Sequence, residues 1–176
     1  MTRKLDVDVG ELIIALQTDH YEAQHYLDLE TGEIILMVTE YEREAESVYE
    51  EMYGEGEEAP DLAEYLEEHD YQDWEKEMIL LAQRIEEGYP QRYIRIDRDD
   101  PYAGYNDMEA FIYTVENAEL RERLDRAIRG RGAFRRFKDL LLDHLDVRED
   151  WFAFQDERQR RRALAWLEAR RIEVEE

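Results

Sequence analysis

The chain has no cysteine, one serine (Ser47) and three prolines among its 176 residues. Without cysteine there is no disulfide, no thiolate nucleophile, no zinc finger and no cysteine-held iron–sulfur cluster. Nothing around Ser47 resembles a nucleophile elbow, so serine hydrolysis is not expected. Long apolar runs are missing too. Leu12 to Leu16 and Leu140 to Leu142 are far too short to cross a bilayer. Met1-Thr2-Arg3-Lys4-Leu5-Asp6 has no apolar stretch of the kind a secretory leader needs, and a cytoplasmic location is expected. Lysine is scarce: Lys4, Lys76 and Lys138 are three of 23 basic residues.

Positive charge is short mainly in one part of the chain. Residues 1–116 carry 33 Asp/Glu against 8 Lys/Arg, residues 117–176 carry 14 against 15, and the net charge is −24. Two readings compete. Carboxylates that hold water and counterions suit a protein working in high salt, where self-repulsion is screened. Alternatively, an acidic face meets a basic partner or imitates nucleic acid. Hydrophobic residues make up 43% of the chain, with 12 tyrosines, which argues against general disorder. A chain this long buries about two thirds of its unfolded surface and needs no staple. A single domain, 1–176, is expected.

The apolar pattern gives mostly helices. Leu5, Val7 and Val9 alternate briefly. Asp8 then offers an N-cap, with Glu11 three residues on, for a helix to about Asp19. His25 to Val38 is a hairpin pattern, with Gly32 in the left-handed position of the Glu30-Thr31-Gly32 turn. Tyr41, Ala45, Val48, Tyr49 and Met52 mark a helix over 40–53, and 54–60 reads as an acidic, mobile connection. Asp61 starts a short helix. Trp74, Met78, Leu81 and Ile85 mark the inner face of a longer one, closed by Gly88 and Pro90. Residues 92–97 form a strand with Ile94 and Ile96 inward, and 99–105 is loop.

The remainder, 117–171, is arginine-rich and helical. Asn106 and Asn117 cap helices, the first with Glu109 and the second with the stripe Leu120, Leu124 and Ile128. Gly130 and Gly132 break the second. The next helix is expected to bury Phe134, Phe137, Leu141 and Leu145. Residues 151–154 connect to a last helix over 156–169, with Trp166 buried. The fold class is α+β: a mostly helical domain with a small antiparallel sheet from 25–38 and 92–97.

Three segments, Tyr26 to Ile34, Gly130-Arg-Gly-Ala-Phe-Arg-Arg-Phe-Lys-Asp139, and Trp151-Phe-Ala-Phe followed by Arg160 to Leu167, resemble an uncharacterised bacterial protein family of unknown function. Its pattern is a Gly-Lys/Arg-Gly-Ala-Phe-Arg-Arg-Phe-Lys-Asp element and a terminal Trp-Leu helix. The resemblance marks 130–139 as a hallmark and implies no activity.

That hallmark is the sharpest chemical feature. A helix starting near Ala133 leaves N–H groups and a partial positive charge at its N-terminus. Arg129, Arg131, Gly132, Arg135 and Arg136 would then form an anion site, with guanidinium forks on a phosphate or carboxylate. The competing reading is structural: arginines in so acidic a chain find internal carboxylates, with Asp97, Asp99 and Asp100 as candidates. Arg158, Arg160, Arg161, Arg162, Arg170 and Arg171, near Trp151 and Trp166, suit nucleic acid by composition, but the overall charge repels a polyanion. His20, His25, His69 and His144 show no metal-ligand spacing, and no metal or cofactor is expected. Tyr102 and Tyr105 either form a recognition surface or lid a core. The expected function is a binding or regulatory module acting through protein contacts or a small anionic ligand. The alternative is an enzyme acting on a small phosphorylated or carboxylated substrate at the same arginines. Oligomeric state stays open.

Overall fold

A computed structural model describes residues 2–19, 21–54 and 61–175. In chain order its elements begin β1 (Arg3–Leu5), α1 (Val9–Gln17), β2 (Ala23–Asp28), β3 (Ile34–Val38), α2 (Thr39–Gly54), α3 (Leu62–Glu68), α4 (Asp73–Gly88) and β4 (Tyr93–Ile96). Then follow α5 (Ala103–Ile112), α6 (Ala118–Ala127), α7 (Ala133–Leu141), α8 (Leu145–Ala169) and β5 (Ile172–Val174). The chain is α+β and mostly helical. Its packing separates two units: residues 1–98 with 171–176, and residues 99–170. The expected mobile connection at 54–60 lies outside the described residues, except that Gly54 ends α2. No helix among the described residues is long and apolar enough to cross a membrane.

Unit 1 is built on the hairpin. β2 pairs antiparallel with β3 on one side and β4 on the other. Gly32 has φ 84°, and its N–H donates to the Asp28 carbonyl at 2.8 Å. A Cβ there would fall 2.4 Å from the Asp6 carbonyl oxygen, so the turn needs glycine for close approach as well as for its dihedral. Asp28, almost fully buried, accepts from the Glu30 N–H and from Arg92. Burial alone would raise the Asp28 pKa, but the Arg92 guanidinium and the turn N–H groups outweigh it and hold the carboxyl below its usual range. Met37, Val48, Leu66, Ile79, Ile85 and Tyr93 make the core between sheet and helices. Asp8 caps α1 by accepting the Glu11 N–H at 3.0 Å. Val9 therefore begins the helix and does not extend the strand.

Two expectations about unit 1 change. The inner face of α4 is Ile79, Ala82 and Ile85, while Trp74 is 56% exposed and Met78 and Leu81 are only partly covered. The expected stripe therefore holds at Ile85 and in part at Met78 and Leu81, while the buried arc is turned toward Ile79 and Ala82 and leaves Trp74 out. In β4, Tyr93 and Ile96 are buried and Ile94 only partly. β5, pairing parallel with β1, is too short at three residues to register as a pattern.

Unit 2 is all helix. Asn117 caps α6 through the Leu120 N–H, and the core gathers Phe111, Leu124, Phe137, Leu141 and Trp151. Phe111, Phe137 and Trp151 meet edge-to-face, with centroids 4.9 to 6.3 Å apart. α5 starts before the expected cap at Asn106. The Asp100 side chain accepts from the Tyr102 N–H at 2.9 Å and its carbonyl from the Ala103 N–H at 2.9 Å, so the turn is nucleated earlier. With no glycine or proline over 145–169, the expected connection at 151–154 is continuous helix instead. α7 buries Ala133, Phe137 and Leu141, one face at four-residue spacing. That rotates Phe134 outward to 49% exposure, and Leu145, the first residue of α8, to 63%. Trp166 is half-buried, with the Arg170 guanidinium 3.8 Å above its ring.

Candidate functional site

The loop between α6 and α7 is shaped by one guanidinium. Gly130 and Gly132 have φ 77° and 76°, and Gly132 occupies the N-cap of α7. This backbone turns three carbonyls toward one point. Arg136 reaches back from the first turn of α7. It donates Nε to the Ala127 carbonyl at 2.8 Å, Nη2 to the Arg129 carbonyl at 2.7 Å, and Nη1 to the Arg131 carbonyl. A charged fork thus satisfies the last carbonyl of α6 and two carbonyls of the loop that follows. A Cβ on Gly132 would sit 3.1 Å from Arg136 Nη1, so the glycine also makes room for the clamp.

The other arginines of the hallmark point away. Arg129 pairs with Asp125 one turn back at 2.5 Å, and its side chain is 73% exposed. Arg135 is 88% exposed, with Asp139 only at 3.8 Å. Arg131 is exposed. Phe134 lies between them in sequence, its ring against Gly104 of α5. Asp97, Asp99 and Asp100 do not meet these arginines. Asp97 pairs with Arg95, Asp99 with Arg162, and Asp100 caps the turn before α5.

A second charged cluster was not visible from spacing. Asp107 is 1% exposed inside unit 2. It accepts from Arg158 Nε at 2.9 Å and from both Arg162 Nη atoms at 2.9 and 2.8 Å, while Arg162 Nε reaches Asp99 at 2.9 Å. Trp151, Phe154, Arg158 and Arg162 run along one stripe of α8, which changes from aromatic to cationic as it passes from Phe111 to Asp107. The signal existed: Asp107 sits on the apolar face with Met108, Phe111 and Ile112. A cap at Asn106 would make Asp107 an exposed first-turn acid, which is how it was missed.

These placements sort the remaining candidates. Arg158 and Arg162 are spent on Asp107, Arg161 on Glu157, and Trp151 is core. Tyr105 packs on the core of unit 2 and Tyr102 is 70% exposed. His25 is buried, and His69 stacks on Tyr65 with its Nδ1 2.7 Å from the Tyr65 carbonyl. His144 takes the N-cap of α8, and His20 lies outside the described residues. Among the described residues no group of three or more His, Asp or Glu converges to hold a metal ion.

A family model described as an uncharacterised protein family, UPF0158, matches residues 66–175, which include the Gly–Arg loop, Asp107 and the stripe of α8. The chain belongs to the UPF0158 family. It is 28% identical over 166 residues to UPF0158 protein PA5073 of Pseudomonas aeruginosa, covering 94% of this chain and 84% of that protein. No solved structure matches. The bacterial family resembled by the sequence is therefore the one found, and the UPF0158 description assigns no activity.

Proposed function

We propose that this UPF0158 protein is a binding module whose unit 2 presents Arg131, Phe134 and Arg135 to an acidic segment of a protein partner. The observation that carries this reading is the Arg136 clamp. By bridging the three loop carbonyls, it leaves Arg131 and Arg135 outward on a backbone already ordered, with a half-exposed phenylalanine between them. Ordering a loop on binding costs affinity, and a preset loop avoids that cost. Arginine and aromatic side chains are also the types that concentrate binding energy at protein interfaces.

The test places a photo-crosslinking phenylalanine analogue at Phe134 in the source cell. A discrete protein adduct should form and should fall about tenfold when Arg131→Ala and Arg135→Ala are combined. Melting of that double variant should stay near the parent, because both side chains are exposed. Arg136→Ala should melt early, since it orphans three carbonyls. No adduct, or one indifferent to Arg131 and Arg135, overturns the reading. Heat on titrating the parent with nucleotides or sugar phosphates, lost in the same double variant, would support a small-anion site instead.

A further inference from the structure

Apolar residues run round much of α4, and the core of unit 1 covers them unevenly. Ile79, Ala82 and Ile85 are buried. Met78, Leu80 and Leu81 pack against the same core but stay partly exposed, and with Glu77, Gln83 and Arg84 they line an open hollow of about 510 Å³. A surface helix ordinarily keeps its outer stripe polar. α2 does so, with Glu40, Glu46, Glu50 and Glu51 among its exposed residues. α4 instead leaves Leu80 and Leu81 partly exposed, one on each flank of Glu77 and Arg84.

The six lining residues are ordered about one point. Counting outward from the Leu80–Leu81 peptide, Leu80 mirrors Leu81, Met78 mirrors Gln83, and Glu77 mirrors Arg84. The same peptide is the midpoint of α4, Asp73–Gly88. A second α4 laid antiparallel about a twofold axis at that point sets leucine on leucine at the centre. At each rim it sets the Glu77 carboxylate of one copy against the Arg84 guanidinium of the other, which is the self-complementarity a twofold interface requires. Antiparallel helices also oppose their dipoles favourably. Both rim side chains are exposed, and among the described residues neither is in an ion pair.

We propose that the chain pairs with a second copy of itself through the outer face of α4, the two helices antiparallel about a twofold axis at Leu80–Leu81. Sixteen residues give a contact about 24 Å long. One helix face lies at the small end of interface size, so the pairing is weak and reversible. The surplus of 22 negative charges in unit 1 opposes it, so salt strengthens it by screening.

Sedimentation equilibrium of the full chain tests this at loading concentrations from about 10 μM to 1 mM, in about 1 M sodium chloride for the parent and Leu81 variant and in about 0.15 M for the rim-charge variants and the parent beside them. A monomer–dimer equilibrium is expected. Glu77→Arg alone and Arg84→Glu alone each set like charges together at both rims and should weaken the dimer about tenfold, and the double reversal should return it to within about threefold of the parent. Leu81→Glu should abolish the dimer. Leu81 also touches its own core, so that variant counts only if its melting matches the parent; the exposed charge pair decides if it does not. A chain monomeric at every concentration, single reversals that leave the dimer intact, or a double reversal that fails to restore it would each overturn the proposal.

Discussion

Residues 1–98 with 171–176 carry 31 Asp/Glu against 9 Lys/Arg, whereas residues 99–170 carry 16 against 14. Each unit buries one aspartate under arginine, Asp28 in unit 1 and Asp107 in unit 2, but the two treat their other carboxylates by different chemistry. In unit 1 tyrosine replaces the missing lysine. Tyr26, Tyr65 and Tyr71 donate to Glu42, Glu51 and Glu44 at 2.8, 3.0 and 2.9 Å. A phenol buries a ring and satisfies one acceptor lone pair but neutralises nothing, so the glutamates stay at the surface and the unit stays charged. In unit 2 arginine neutralises nearly all of the charge, and Asp107 is buried under two arginines, Arg158 and Arg162, where Asp28 of unit 1 has Arg92. The difference teaches what each unit depends on. Unit 1 answers to salt and to high pH. Unit 2 answers mainly to the loss of a single partner, a dependence that unit 1 shares at Asp28.

The largest effect should therefore come from unit 2. Asp107→Ala strands Arg158 and leaves Arg162 with Asp99 alone, both arginines being partly desolvated, and should cost about 3 kcal/mol in denaturant unfolding. Asp125→Ala removes an exposed pair one helical turn apart and should cost less than about 1 kcal/mol. A small loss at Asp107 would mean that its arginines turn out to water with ease, and the contrast between the units would fail.

Salt should separate the units next. Raising sodium chloride from about 0.01 to 1 M should increase stability by screening repulsion among like charges. Segment-resolved amide hydrogen exchange reports local opening free energies. Protection should rise in α2 and α4 and change little in α6 and α7. Equal gains in both units would show that unit charge is not the governing variable.

Much of this was legible in the sequence, for reasons that can be named. The hairpin, the caps at Asp8 and Asn117, and the break at Gly130 and Gly132 are set by local chemistry, which a single segment carries. Phe137 and Leu141 followed from spacing. What was lost depended on partners distant in sequence. The face of α4 that turns inward is set by the sheet and α2, not by its own apolar count. Phe134 leaves the core because Ala133 enters it. Arg136 looked like a ligand-binding arginine because its three acceptors are backbone carbonyls, which no residue type announces. Asp107 and its arginines are 51 and 55 residues apart, and in so acidic a chain no carboxylate stands out until its burial is known.

The smallest effect sharpens the tyrosine half of the contrast. Burial, then the hydrogen bond to Glu44 and its charge, push the Tyr71 phenol up from 10.0 to about 12. Between those values the folded protein holds a proton that the unfolded chain has released, so stability must fall as pH rises through that window and be fully present below about 10. Tyr71→Phe removes both the hydrogen bond and the titration. At pH 8 it should cost about 0.5–1.5 kcal/mol, the net worth of one hydrogen bond. As pH climbs from 10 to 12 the parent should lose this advantage while the variant does not, so their denaturation midpoints should converge. Tyr26, raised further by burial and by Glu42, should keep its contribution to higher pH than Tyr71. A parent and a Tyr71→Phe variant that stay equally far apart from pH 8 to 12 would show that the phenol is not holding its proton against Glu44, and that the acidic unit owes its folding to something other than tyrosine.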